Sequence, residues 1–175
     1  MLDVAIKHKE DLSQKFQDIW FSEKYKYWNN GNYYEDKKID ETTWSNHQFV
    51  SLNPEGEVIG YIGYSIDRGN DCVYGLSIIN FSEDIATFGL DAGKAITDIF
   101  EKYHFRKLCF AVVVGNPIEE TYDRLTAKHG GRIVGIQKQH TRLIDNLLYD
   151  EKIYEILADE YRSNRNSIKT KEAPR

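Results

Sequence analysis

The most informative part of the chain is residues 88–125, which read FGLDAGKAITDIFEKYHFRKLCFAVVVGNPIEETYDRL. Apolar residues recur at helical spacing between residues 90 and 103, which predicts an amphipathic helix. The apolar run 108–114 is followed by Gly115-Asn116-Pro117, a pattern typical of a strand buried on both faces. A second helix is predicted over residues 117–128, because proline suits a first helical turn.

Strands are predicted on both sides of this segment. Upstream, three strand-like segments are separated by short polar turns, and such neighbours must pair antiparallel. Downstream, two further strands flank a polar loop. The five predicted strands are His47–Leu52, Val58–Ile66, Cys72–Asn80, Arg132–Leu143 and Tyr149–Leu157.

The chain opens with a predicted strand, Leu2–Lys7, and then a helix with Leu12, Phe16 and Ile19 on one face. The complete order predicts an α/β fold, in which a mixed, mostly antiparallel sheet carries helices on both faces. The strand–helix–strand unit from Cys72 to Val114 should form a right-handed parallel crossover.

Composition limits the class of protein. The 175 residues are 41% hydrophobic and 29% charged, as expected for one folded domain. No apolar run approaches the roughly 20 residues of a membrane helix, and no signal-peptide pattern opens the chain. The net charge of −5 argues against general nucleic-acid binding. We therefore expect a cytoplasmic protein that binds neither nucleic acid nor membrane.

The two cysteines, Cys72 and Cys109, have no metal-ligand spacing, so no metal site is expected. Both lie in apolar strand-like segments and are predicted to be buried thiols in a reducing compartment. The last residues, 162–175, contain five basic residues and one acid. They are predicted to be a polar, frayed tail that follows a domain of residues 1–161.

The order of elements and the 88–125 segment resemble the GNAT superfamily of acyl-CoA-dependent N-acyltransferases. The closing stretch 130–157, GGRIVGIQKQHTRLIDNLLYDEKIYEIL, resembles the branch that includes ribosomal-protein N-terminal acetyltransferases. The resemblance covers the chain to Tyr161. It implies transfer of an acetyl group from acetyl-CoA to a primary amine, on a small molecule or a peptide, by direct attack in a ternary complex.

The resemblance also implies residues that hold acetyl-CoA. In the family's phosphate loop pattern, aligned with residues 84–89, only Gly89 matches; Asp84 replaces an arginine or glutamine and Thr87 replaces a glycine. Lys94 and Arg106 are alternative sources of positive charge. The implied cofactor-binding residues are Ile78 and Ile79, through their main chain, and Ile85, Ala86, Thr87, Phe88, Gly89, Leu90 and Asn116.

Two residues are implied in catalysis. Asn116 matches the asparagine that follows the splayed strand of the family, and Tyr122 matches the tyrosine that often protonates the departing sulfur. A neutral phenol can donate to a developing thiolate. The spacing between them is six residues, whereas seven is usual, which would displace one by about 100° around a helix. The base is left open among Glu120, Asp67 and His140.

Eight of the 25 residues from Trp20 to Trp44 are aromatic. The family builds its acceptor wall here, so Trp28, Tyr33 and Tyr34 are implied in acceptor binding. Packing of the first helix onto the sheet, or a homodimer contact, would also use these side chains.

Two rival functions remain open at this point. The altered phosphate loop favours a GNAT-fold binding or regulatory module that has lost CoA binding. The aromatic segment would instead suit an acyltransferase that acts on a nucleotide-linked amino sugar.

Overall fold

The structure, a computed structural model, describes residues 1–28 and 36–172. Seven strands form one sheet, with the order β1-β2-β3-β4-β5-β7-β6. The strands are β1 (Leu2–Val4), β2 (Asn46–Leu52), β3 (Val58–Asp67), β4 (Cys72–Asn80), β5 (Lys107–Val113), β6 (Arg132–Arg142) and β7 (Leu148–Leu157). Neighbouring strands pair antiparallel, except for the parallel pair β4 and β5. This mixed, mostly antiparallel sheet confirms the predicted fold class.

Four α-helices cover the sheet: α1 (Lys9–Asp18), α2 (Ile85–Glu101), α3 (Glu119–Lys128) and α4 (Ala158–Glu172). Helix α1 packs on one face, where Phe16 contacts Tyr61 edge to face with ring centroids 5.4 Å apart. On the other face, α2, α3 and α4 enclose the main core, in which Leu108 of β5 is fully buried. Helices therefore lie on both faces, as the sequence predicts.

Strands β4 and β5 separate soon after they meet. Their only paired positions are Cys72 with Lys107 and Val73 with Leu108, among the described residues. A bulge follows at once, because β4 places one more residue than β3 between consecutive pairs. Gly75 lies in this bulge with a φ of +64°, a left-handed conformation that glycine adopts without steric cost. Because a bulge bends its strand, β4 turns away from β5 here.

Three boundaries differ from the sequence prediction. Helix α2 begins at Ile85 rather than at residue 90, because the Asp84 side chain accepts the Thr87 N–H (2.9 Å) and caps an extra turn. The first strand ends at Val4, where a 3-10 turn begins. The chain after residue 161 is helical as far as Glu172.

The helical C-terminal segment is held by its side chains. Tyr161 stacks on Phe100 of α2 with ring centroids 4.6 Å apart, and Arg165 pairs with Glu101 (2.6 Å). These contacts hold the first two turns of α4 against α2.

Strand β5 was expected to be buried on both faces, and this is wrong for one of them. Leu108, Phe110 and Val112 are buried in the core, but Cys109 and Ala111 on the opposite face are only half-buried. The divergence of β4 leaves that face beside an open cleft.

No helix within the described ranges is both long enough and apolar enough to cross a membrane.

Candidate active site

A cleft of about 1470 Å³ opens where β4 and β5 diverge. Its walls come from both sides of the sheet. Helices α2 and α3 contribute from one face, and the segment after α1 contributes from the other. The opening therefore passes through the sheet, so that two different ligands could meet inside it from opposite faces.

The β4 wall offers main-chain hydrogen-bonding groups. Beyond Val73, the N–H and C=O groups of β4 that face β5 have no strand partner in the described part of the chain. An extended ligand with amide groups could pair with them as an added strand. Ile78 and Ile79 line this wall, and their side chains pack into the cores on opposite faces of the sheet. Of these two residues, the main chain is the part that remains available to a ligand.

The part of α2 that lines the cleft carries small residues. Gly89 and Gly93 line the cleft one helical turn apart, with Ala92 beside them. A Cβ added at either glycine would meet nothing within 4 Å, so packing inside the protein does not require a glycine there. Glycine in a helix interior costs about 1 kcal/mol relative to alanine. The bare helix surface therefore points to a ligand that approaches the backbone closely.

The N-terminus of α2, where the family pattern places a phosphate, is used by the chain itself. The Asp84 carboxylate accepts the Thr87 N–H, and this hydrogen bond lowers the pKa of Asp84. A helix N-terminus attracts anions, and here a side-chain carboxylate already lies there.

The two proposed sources of positive charge lie elsewhere. Lys94 pairs with Asp98 of its own helix (2.7 Å), and Arg106 donates to the Asn70 carbonyl (3.1 Å) at the end of the sheet where β4 and β5 are paired. Neither lines the cleft.

The predicted cofactor residues divide into two groups. Ile85, Phe88, Gly89 and Asn116 line the cleft together with Ile78 and Ile79. Ala86, Thr87 and Leu90 lie on the first turns of α2 but do not line it, and Leu90 is 78% exposed.

Tyr122 enters the cleft from α3. Its ring meets Phe110 of β5 edge to face, with centroids 5.6 Å apart. Its hydroxyl has no hydrogen-bond partner among residues 1–28 and 36–172, and burial raises the pKa of Tyr122 to about 12. The phenol is therefore neutral at ordinary pH and can donate a hydrogen bond to a ligand.

Helix α3 is fixed to the sheet on either side of Tyr122. Lys152 of β7 bridges Glu119 and Asp123, and the Tyr154 hydroxyl donates to Asp123 (2.7 Å). This network gives the Tyr122 side chain a defined position.

Asn116 and Tyr122 both line the cleft, despite their six-residue spacing. The Asn116 side-chain oxygen accepts the Ile118 N–H (3.1 Å) and shapes the loop before α3. The Asn116 amide nitrogen donates no hydrogen bond within residues 1–28 and 36–172.

A residue that the sequence did not indicate, Glu151 of β7, reaches the cleft from the opposite face. Side chains alternate along a strand, so Glu151 points away from the face on which Lys152 contacts α3. Glu151 is paired in register with Val113, lines the cleft and is only 7% exposed. Its Oε2 lies 3.5 Å from Nε2 of His140. The charged strand around it gives no signal that this one carboxylate is buried.

Of the three candidate bases, only His140 is near the cleft, through Glu151. Asp67 closes the β3–β4 turn, where it accepts the Asn70 N–H (3.0 Å). Glu120 is exposed on α3 and does not line the cleft.

The aromatic segment divides between packing and the cleft. Trp28 stacks on Phe16 of α1 (centroids 4.9 Å apart) and lines the cleft with Tyr25 and Tyr27. Trp44 is 69% exposed beneath the Arg68 guanidinium and away from the cleft. The predicted acceptor residues Tyr33 and Tyr34 lie outside the described residues.

Within the described part of the chain, no group of three side chains has the composition and proximity of a metal site.

Comparisons with known proteins bear on the fold. No family model matches the sequence, and no curated protein matches it. Among solved structures, a candidate phosphinothricin N-acetyltransferase matches with a TM-score of 0.68 and 16% identity, over 90% of this chain and 98% of that one. A chimera of the Vibrio cholerae spermidine N-acetyltransferase SpeG with hSSAT matches with a TM-score of 0.66 and 18% identity, over 93% and 98%.

A single-residue variant of the Vibrio cholerae enzyme matches with a TM-score of 0.56 and 19% identity, over 69% of this chain and 72% of that one. At these identities the likeness establishes the fold. It is the GNAT fold that the sequence resemblance implies.

Proposed function

We propose that the protein is an N-acetyltransferase that moves an acetyl group from acetyl-CoA to a primary amine. One observation carries the proposal: Tyr122 and Glu151 reach a single cleft from opposite faces of the sheet, where β4 and β5 separate. An acid and a base on opposite sides of one opening suit a direct transfer between two bound ligands.

The donor fits the cleft in part. The unpaired main chain of β4, the bare surface at Gly89 and Gly93, and the Asn116 amide suit an extended pantetheine arm. When bound, its thioester supplies an activated acetyl group. The N-terminus of α2 suits the diphosphate less well, since Asp84 already occupies it. We therefore expect the pantetheine and thioester to contribute most of the donor affinity.

Glu151 and Tyr122 have complementary roles in this proposal. Glu151 accepts the proton that the amine must lose as its nitrogen forms a bond to the acetyl carbon. Tyr122 donates a proton to the sulfur as the carbon–sulfur bond breaks. His140, beside Glu151, orients the carboxylate and passes its proton to solvent.

Replacement of Glu151 by glutamine should lower kcat about 100-fold, because an amide cannot accept the proton of the amine. Donor binding should remain unchanged, since Glu151 lies on the acceptor side. Both quantities can be measured, by thiol release and by calorimetry with acetyl-CoA.

Glu155→Gln is the matched control for this variant. Glu155 lies on the same face of β7, but it pairs with Lys107 and does not line the cleft. Equal kcat values for the Glu151 and Glu155 variants would contradict the proposal that Glu151 accepts the proton of the amine.

The Asp84→Asn variant should bind acetyl-CoA roughly three- to tenfold more tightly, because it keeps a capping side chain and removes a negative charge from the phosphate-binding helix end. S-acetylpantetheine is the internal control, since it carries no phosphate and should bind both proteins equally. Unchanged acetyl-CoA affinity would show that the diphosphate lies away from Asp84.

The function is tested by thiol release from acetyl-CoA with a panel of polyamines, amino acids, amino sugars and peptide N-termini. Transfer to any of these supports the proposal. No transfer to any amine, together with no binding of acetyl-CoA, would favour the alternative that Asp84 suggests, a GNAT-fold module without CoA binding.

The finer expectations stay predictions. These are the likeness to ribosomal-protein N-terminal acetyltransferases, a nucleotide-linked amino sugar as acceptor, a homodimer and a cytoplasmic location. Cys72 and Cys109 are free thiols, which suits a reducing compartment.

A further inference from the structure

We infer that the amine acceptor carries an anionic group, which Lys37 binds on the acceptor side of the cleft. This inference rests on the proposed function and narrows its substrate to amines with a carboxylate or a chemically similar anion. It begins from an unexplained lysine on the wall that the segment after α1 forms.

Lys37 is the exception among the lysines of this wall. Three lysines of the described chain line the cleft. Lys24 pairs with Glu83 (3.0 Å), and Lys38 pairs with Asp40 (3.6 Å). Lys37 makes no ion pair within residues 1–28 and 36–172.

Aromatic rings surround the Lys37 ammonium instead. Its Nζ lies 5.9 Å from the ring centroid of Trp28 and 5.5 Å from that of Tyr61. The nearby Asp40 carboxylate accepts a hydrogen bond from Asn46 and pairs with Lys38. Burial lowers the pKa of Lys37 below its usual value.

A half-buried ammonium that has no ion-pair partner among residues 1–28 and 36–172 is an unfavourable cover for two aromatic rings. A leucine or methionine would pack there without the cost of removing a charge from water. A ligand anion would supply the missing counter-charge, and partial burial would strengthen that attraction.

The position of Lys37 assigns this anion to the acceptor. Tyr61 packs with α1 on the face opposite α2 and α3, and Glu151 opens onto the same face. An acceptor entering from that side meets a carboxylate for its amine and an ammonium for its anion. The two charges favour a zwitterionic amine such as an amino acid.

The first test measures anion binding without catalysis. The 13Cε resonance of Lys37, identified by its absence from Lys37→Met, is followed while the protein is titrated with 3-phenylpropionate. This probe has the carboxylate and ring of phenylalanine but no amine. We expect a saturable shift and a higher pKa for Lys37, because a bound anion favours the charged form. No shift at 10-fold excess over a 1 mM protein sample, roughly the range of weak acceptor binding, would overturn the inference.

The second test compares acceptors that differ only in their charge. Amino acids are paired with their carboxamides, and kcat/KM for acetyl transfer is measured with the wild type, Lys37→Met and the control Lys94→Met, whose lysine pairs with Asp98 and does not line the cleft. We expect the wild type to prefer the acids by about tenfold or more, which is a typical effect of one charged hydrogen bond. Lys37→Met should lose that preference, whereas Lys94→Met should keep it.

The two tests separate this inference from the proposed function. Transfer to carboxamides as fast as to acids, or an acid preference that survives in Lys37→Met, overturns the inference and leaves the acetyltransferase intact. No transfer to any amine counts against the proposed function, while the titration with 3-phenylpropionate still decides whether Lys37 binds anions. Lys37→Met should also unfold at the same temperature as the wild type or higher, so a loss of preference cannot come from instability.

Discussion

Replacement of Gly93 by leucine should weaken acetyl-CoA binding strongly while the fold becomes more stable. Gly93 lies in the interior of α2, where exchanging glycine for a good helix former contributes about 1 kcal/mol to the free energy of unfolding. A Cβ added at this position meets nothing within 4 Å, so the protein leaves room for a side chain there. It projects instead into the cleft that we assign to pantetheine. We expect calorimetry to show that the affinity for acetyl-CoA is reduced at least 100-fold.

Gly93→Leu is expected to lose affinity for acetyl-CoA and at the same time to gain stability, and this combination is a strict prediction. Most variants that lose binding also lose stability, and a destabilised Gly93→Leu protein would not support the account. Lys94→Leu is the matched control, because Lys94 is exposed on the same helix and does not line the cleft. If Gly93→Leu bound acetyl-CoA as tightly as Lys94→Leu, the donor would lie somewhere else.

Replacement of Tyr122 by phenylalanine should lower kcat at least 100-fold and leave the affinity for acetyl-CoA nearly unchanged. The phenol is the proton donor to the departing sulfur, and positioned acid–base groups contribute about 10²- to 10⁴-fold. The ring itself keeps its contact with Phe110, so the core should be retained. Since the pKa of Tyr122 is about 12, we expect no decline in activity from its ionisation in assays up to about pH 10.

A change of leaving group distinguishes the chemical role of Tyr122 from a structural one. An aryl thioester expels a more acidic thiol that needs little protonation, so this donor should recover most of the lost rate in Tyr122→Phe. Tyr103→Phe, which alters a tyrosine that contacts His47 and does not line the cleft, should behave as the wild type. An equal defect of Tyr122→Phe with both kinds of thioester would exclude proton donation to sulfur.

The sequence was informative about the sheet because its signals are local. Apolar spacing located α2, a continuous apolar run located β5, and a proline suited to a first helical turn indicated α3. The turns between β2, β3 and β4 indicated antiparallel neighbours. The β4–β5 crossover followed from the helix between them, since parallel neighbours need such a connection. The separation of those strands was implied only by the family resemblance, as no residue pattern fixes how soon two paired strands part.

Other features of the site depend on contacts that sequence cannot show. In the sequence, Asp84 disrupts the phosphate-loop pattern. An aspartate that caps a helix and an aspartate within a loop cannot be distinguished until the first residue of the helix is known. Glu151 belongs to a strand with several acids, and its burial follows from the register with Val113. Lys37 became distinctive only when no carboxylate of residues 1–28 and 36–172 was found within ion-pair distance of its ammonium.

The most direct test of the account is a calorimetric titration of the wild-type protein with acetyl-CoA and, in parallel, with S-acetylpantetheine. We predict one-to-one binding of both, with the nucleotide improving affinity by less than about tenfold because Asp84 occupies the phosphate-binding helix end. No binding of either compound at millimolar concentration would contradict the account. The cleft between β4 and β5 would then hold no acyl donor, and the protein would be a GNAT fold without acetyl transfer.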